Sequence, residues 1–196
     1  MKKQVFAYLI AGCMLVFAHT SFAQRVTLED LLDKAMVLSQ QNEKQKLAET
    51  LKDGSIALES EANTRGNDMK AKLLGQAGEL KNLIPLATEG TLKTDVLGKV
   101  INTIRLVVGA NQINNLLSEG KNGLLGNAES LTGSLNLLNA GKEALNVKDQ
   151  DKLGTLVDAV SGAVKKLNGQ DTSAKLAASS AKKTLGKIVD LIKDAV

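Results

Sequence analysis

Apolar residues recur at intervals of three and four positions along most of the chain. In the segment that follows Thr27 they are Leu28, Leu31, Leu32 and Ala35, and the same spacing returns in later segments. This spacing places the apolar side chains along one face of a helix, and that face must pack against another element. The pattern therefore predicts an all-α fold, a bundle of about five to six amphipathic helices.

Local signals divide this pattern into helices. Thr27 and Asp30 have the spacing of a capping box, which predicts the start of the first helix. Gly54 is predicted to end that helix. A second helix is predicted over residues 55–82, and it ends before Pro85, the only proline, because a proline disfavours helical geometry in the residue that precedes it.

The second half of the chain has the same character. A third helix is predicted from near Thr91, and its β-branched residues follow a helical period rather than the alternation of a strand. Glycines at 120, 123 and 126 predict a loop. Three more helices are predicted, one around residues 131–138 and two over residues 149–167 and 171–195. Residues 24–196 are predicted to form a single helical domain.

Three predicted helices contain a glycine in a similar context, Leu-Gly-x followed by two aliphatic residues. These glycines are Gly98, Gly154 and Gly186. A glycine costs a helix interior about 1 kcal/mol relative to alanine, so we expect a neighbouring helix to approach closely over the missing side chain. The same packing argument predicts that Leu156→Ala costs about 2 to 5 kcal/mol of stability.

The first residues have the pattern of a signal peptide. Lys2 and Lys3 are followed by an apolar run over residues 5–18 and by a small-x-small ending, which predicts cleavage between Ala23 and Gln24. The run is shorter than the roughly 20 residues that a membrane-spanning helix needs. We therefore expect an exported protein, periplasmic or secreted, without a transmembrane segment after processing.

A second possible cleavage site lies within the same signal-peptide segment. The tetrapeptide that ends at Cys13, Ile-Ala-Gly-Cys, resembles the lipobox of bacterial lipoproteins. That resemblance implies a lipidated Cys13 as the first residue and a tether to the outer membrane. The apolar run continues beyond Cys13 to Ala18, however, and this favours cleavage after Ala23.

The composition of residues 24–196 limits the chemistry of the chain. All aromatic residues, the only histidine and the only cysteine precede residue 24. This excludes imidazole-based hydrolysis, histidine- or thiolate-ligated metals, disulfides and stacking of bases on aromatic rings. We expect a non-enzymatic protein with an aliphatic core, without catalytic residues, a cofactor or a metal, and without a nucleic-acid partner.

One segment begins like a calcium-binding loop. Asp149 and Asp151 have the spacing of its first ligands, but its fifth and twelfth positions are Leu153 and Val160, which offer no side-chain oxygen. We therefore interpret the two aspartates as helix caps.

Charge leads to two functional hypotheses. The net charge of +4 is small, but lysines predominate after residue 165 and suggest a basic face formed by Lys182, Lys183, Lys187 and Lys193. The leading hypothesis is a binding, scaffold or assembly component of the cell envelope, with a protein partner or self-association. The alternative is an amphipathic-helix protein whose basic face binds anionic membrane surfaces.

Overall fold

The computed structural model describes residues 27–120, 123–169 and 172–196, and these residues form seven α-helices and no strand. The all-α prediction is confirmed, but the predicted count of five to six helices is too low. The predicted cleavage at Ala23 and Gln24 and the predicted lipidation of Cys13 lie outside the described residues. The helices are α1 (Leu28–Gln40), α2 (Lys44–Arg65), α3 (Lys70–Glu89), α4 (Thr94–Ser118), α5 (Ala128–Gly141), α6 (Val147–Val164) and α7 (Thr172–Ala195).

Helix α4 is the centre of the bundle. It packs against α1, α3, α5 and α7, while α2 packs mainly on α3 and α6 mainly on α7. Residues 106–111 of α4 are all buried, so this helix is covered on every side at its middle. The β-branched residues of this segment would favour a strand by composition alone. They belong to a helix, as the helical spacing of the apolar positions predicts.

The core is aliphatic. Its largest fully buried side chains are leucines and isoleucines together with Met69. Their burial supplies the main favourable term in folding. The predicted aliphatic core is confirmed for the described residues.

The capping box at the first helix is confirmed. The Asp30 backbone amide donates to the Thr27 hydroxyl oxygen over 3.1 Å, and the Thr27 backbone amide donates to Asp30 Oδ2 over 2.9 Å. Two backbone donors that helix formation leaves without partners are thereby satisfied.

Gly54 does not end a helix, contrary to prediction. The first predicted helix ends earlier, at Gln40, and Asn42 turns the chain with a positive φ of 56°. Gly54 lies buried within α2, where a Cβ atom would meet Leu80 Cδ1 of α3 at 3.3 Å. The glycine is therefore used for contact between two helices rather than for a break.

Pro85 also lies inside a helix, because α3 continues to Glu89. The helix survives the missing backbone donor because Leu80, Leu83 and Ala87 on either side of the proline are buried in the core. Gly90, with a φ of 77°, ends the helix instead. The prediction of an end before Pro85 is wrong because packing outweighs the local preference.

Two of the three predicted close-contact glycines are open. A Cβ atom at Gly154 or Gly186 would meet nothing within 4 Å, and one at Gly98 would meet only Met36 Cε at 3.7 Å. Close contact occurs at other glycines. A Cβ atom at Gly109 would lie 2.8 Å from the Ser134 carbonyl oxygen, and one at Gly141 would lie 2.4 Å from the Asn102 carbonyl oxygen. These two positions bring α4 and α5 together.

The start of α6 differs from the prediction as well. Asn146 is the N-cap, and its Oδ1 accepts a hydrogen bond from the Asp149 backbone amide over 3.1 Å. Asp149 lies in the first helical turn, where its negative charge interacts favourably with the positive end of the helix dipole, and Asp151 lies two residues further along. Neither aspartate is the cap, because the helix begins at Val147.

Candidate functional site

The predicted basic residues all lie on α7. Lys182, Lys183 and Lys187 are exposed, whereas Lys193 is partly buried and its Nζ lies 3.4 Å from Asp68 Oδ2. The apolar residues between them, among them Leu185 and the following aliphatic residues, are buried in the bundle. Lys182, Lys183 and Lys187 thus lie on the exposed side of α7, while its apolar side is packed in the core.

A cavity of about 520 Å³ opens beside this helix. It lies between α7 and the loop that joins α4 to α5. Its volume falls within the range of small-molecule sites, about 300 to 1,000 Å³. Its described lining residues are Gly120, Leu124, Leu125, Lys175, Ala178, Ser179 and Lys182.

Glycines and two hydrogen bonds shape the loop wall of the cavity. The Gly126 backbone amide donates to the Leu167 carbonyl oxygen over 3.0 Å, and Asn127 Nδ2 donates to the Gly123 carbonyl oxygen over 3.0 Å. A Cβ atom at Gly123 would lie 2.0 Å from the Leu116 carbonyl oxygen, so the loop lies directly on the end of α4. This arrangement buries Leu124 and places Leu125 beside it.

The helical wall is one stripe of α7. Lys175, Ala178, Ser179 and Lys182 are spaced by three, four and seven positions, so they share one face over two turns. Ala178 is buried, whereas both lysines and Ser179 are exposed. The floor of the cavity is therefore apolar, and two ammonium groups border its opening.

The two lysines are the only charged residues that line the described part of the cavity. Among the described residues, neither lies within 4 Å of a carboxylate. The arrangement can hold an apolar group inside and attract a negative group at the opening.

The sequence identifies only part of this site. Lys182 lines the cavity, but Lys183, Lys187 and Lys193 do not. Lys175 was missed, although its seven-residue spacing from Lys182 places both on one helix face. No sequence pattern indicates that Leu124 and Leu125 line the cavity, because this depends on where the loop lies in three dimensions.

A second depression, of about 400 Å³, is polar and lies among α1, α2, α4 and α5. Glu61 and Arg65 pair there at 3.2 Å, and Asn111 Nδ2 donates to Glu61 Oε1 over 3.0 Å. The Ser134 hydroxyl donates to Gln112 Oε1 over 2.8 Å. These bonds join α4 to α2 and to α5, which assigns the groups a structural role.

Metal-binding and membrane-spanning features can be assessed within residues 27–120, 123–169 and 172–196. In these ranges no group of three or more His, Cys, Asp or Glu side chains could hold a metal ion. None of the helices in the same ranges combines the length and the hydropathy that crossing a membrane requires. The chain matches no protein-family model, no curated protein and no solved structure.

Proposed function

We propose that the chain is an exported, non-catalytic helical protein that acts as a binding component of the bacterial envelope. Its ligand site is the cavity between α7 and the loop residues Gly120, Leu124 and Leu125. The observation that carries the proposal is a cavity of ligand size whose described lining is apolar inside and has two lysines at the opening. The signal-peptide pattern that ends at Ala23 supports export.

Energetics supports a ligand in this cavity. The cavity opens to solvent, and an apolar ligand that enters it leaves water, which favours binding. A ligand that fills it binds the folded state alone and raises the unfolding temperature. The composition of residues 24–196 supports binding rather than catalysis, because imidazole and thiol groups are missing from that sequence.

Dye binding tests the site. We expect 1-N-phenylnaphthylamine, an uncharged dye that fluoresces in apolar surroundings, to bind the purified protein at one site. Ser179→Trp places a large ring at the cavity and should weaken dye binding at least tenfold. Ser180→Trp is the matched control, because Ser180 is the adjacent exposed serine and does not line the cavity.

Circular dichroism establishes that both variants fold. Dye binding that is equal in the two folded variants would place the dye elsewhere, and a protein that binds no dye would refute the cavity as a ligand site.

Processing in a bacterial host tests export and location. We expect the intact mass and the N-terminal peptide to identify a protein that begins at Gln24. A protein that begins at a lipidated Cys13 would instead support a membrane-tethered form. A protein that retains Met1 and the whole leader would contradict export.

A second function is supported by one observation on α7. Leu176 is 67% exposed beside Lys175, and the exposed lysines of this helix could approach an anionic membrane surface. The apolar side of α7 is buried, so contact with lipid would involve the lysines and Leu176 while the bundle stays folded. Flotation with phosphatidylglycerol vesicles at low salt tests this alternative, and a failure to float removes it.

A further inference from the structure

We infer that the cavity binds a single-chain aliphatic anion, with its chain against Leu124 and Leu125 and its carboxylate or phosphate group between Lys175 and Lys182. This inference rests on the proposed function, because it names the ligand class of the same site. The ligand is a monomeric amphiphile that lies in a concave site, which distinguishes it from the surface of a bilayer.

Charge defines one end of the ligand. Lys175 and Lys182 are separated by two turns of α7, about 10 Å along its axis. None of the described lining residues is acidic. Lys193, near the other end of the helix, faces Asp68 instead. An anionic head group at the opening therefore meets two ammonium groups without an opposing carboxylate in the described lining.

The interior defines the other end. Leu124, Leu125 and Ala178 line the cavity, so its wall offers methyl and methylene groups. In the described lining, Ser179 supplies the only side-chain hydroxyl and no residue carries an aromatic ring. A sugar or a nucleobase would leave its polar groups without partners here, which is unfavourable. An alkyl chain has no such requirement.

Competition between matched amphiphiles tests the charge. Decanoate, decyl phosphate, decyltrimethylammonium and decanol share a ten-carbon chain and are added below their micelle concentrations to displace the dye. We expect the two anions to displace it at concentrations at least tenfold lower than the cation, with decanol between them. The two anions also separate carboxylate from phosphate as the preferred head group.

Chain length tests the apolar interior. Each buried CH₂ contributes about 0.8 kcal/mol, which is about a fourfold change in affinity. We expect decanoate to bind at least tenfold more tightly than octanoate, since it has two more CH₂ groups. Equal affinities would show that the chain remains in water and would contradict the inferred orientation.

Lysine variants test the head-group contacts. Lys175→Gln and Lys182→Gln should each weaken decanoate binding about two- to fivefold, the size expected for an exposed ion pair. Lys183→Gln is the matched control, because Lys183 is exposed next to Lys182 but does not line the cavity. Affinity for the uncharged dye should be the same in all three variants.

The outcomes separate the inference from the proposed function. Normal dye binding with equal competition by all four ten-carbon compounds overturns the anion inference and leaves the cavity as a ligand site. Equal effects of Lys182→Gln and Lys183→Gln overturn the assigned contacts. Binding to anionic vesicles without binding of any monomer overturns the inference in favour of a membrane surface. Absence of dye binding overturns the proposed function itself.

Discussion

Two helical glycines, Gly141 and Gly154, have opposite environments. A Cβ atom at Gly141 would lie 2.4 Å from the Asn102 carbonyl oxygen and 2.9 Å from Leu106 Cγ, whereas one at Gly154 would meet nothing within 4 Å. Gly141→Ala should therefore destabilise the protein by about 1 to 3 kcal/mol through overpacking. Gly154→Ala should stabilise it by about 0.4 to 1 kcal/mol, because alanine restricts the unfolded chain.

Urea unfolding followed by circular dichroism measures both effects. Gly186→Ala is a second open-site control, and it should resemble Gly154→Ala. A loss of stability in Gly154→Ala would show that a neighbouring group does occupy the space at α6. Sequence alone could not separate these positions, because the difference depends on which helix lies opposite each glycine.

The first turn of α1 gives a prediction about pH. Hydrogen bonds from the Thr27 hydroxyl and then from the Thr27 backbone amide hold the pKa of the Asp30 carboxyl below its ordinary value of 3.8. A group whose pKa is lower in the folded state stabilises the protein above its unfolded pKa, and this contribution is lost as the pH falls through the folded pKa.

Asp30→Asn should therefore lower the urea midpoint near neutral pH and have less effect once the pH is well below 3.8. Glu29→Gln removes a charge from the same turn and controls for the helix dipole. The assignment would fail if the midpoint difference between wild type and Asp30→Asn were constant from neutral pH to about pH 2.

At the scale of elements, α3 contains an unfavourable residue that packing overrides. Pro85 is exposed and lies within the helix, so it removes a backbone hydrogen bond without contributing to the core. Pro85→Ala should restore that bond and raise stability by about 1 to 3 kcal/mol. Thermal and urea unfolding measure the change, and a loss of stability would show that the proline has a structural function in α3.

Helix α6 gives a second prediction, about which side of the helix is in the core. Leu153 is fully buried, whereas Leu156 is only partly buried against the core. Leu153→Ala should cost about 2 to 5 kcal/mol, and Leu156→Ala should lie at or below the lower end of that range. Equal losses in urea unfolding would contradict the assigned orientation of α6.

These elements show why sequence predicts some features and not others. The start of α1 was predictable because Thr27 and Asp30 are three residues apart and their bonds are local. Gly54 and Pro85 were misread because their effects depend on contacts with distant residues, such as Leu80 opposite Gly54. The cavity has one wall of each kind. The residues on α7 follow a helical spacing that sequence can predict, whereas the position of the loop with Leu124 depends on its distant contacts.

At the scale of the whole molecule, the central position of α4 bears on the number of domains. The helices that precede it in the chain, α1 and α3, and those that follow it, α5 and α7, all pack against α4. Unfolding either group would expose apolar surface of α4, which is buried over residues 106–111. From this shared surface we expect the described helices to unfold together, and the single domain over residues 24–196 stays a prediction.

Two tryptophan probes test that prediction, because the chain contains no tryptophan of its own. Ile56→Trp reports on α2 at a residue that is 52% exposed, and Ser180→Trp reports on α7 away from the cavity. We expect the two fluorescence midpoints in urea to coincide with each other and with the circular dichroism midpoint, as in a two-state transition. Separate midpoints would instead show that the helices before and after α4 unfold independently. The shared surface of α4 would then not couple their unfolding.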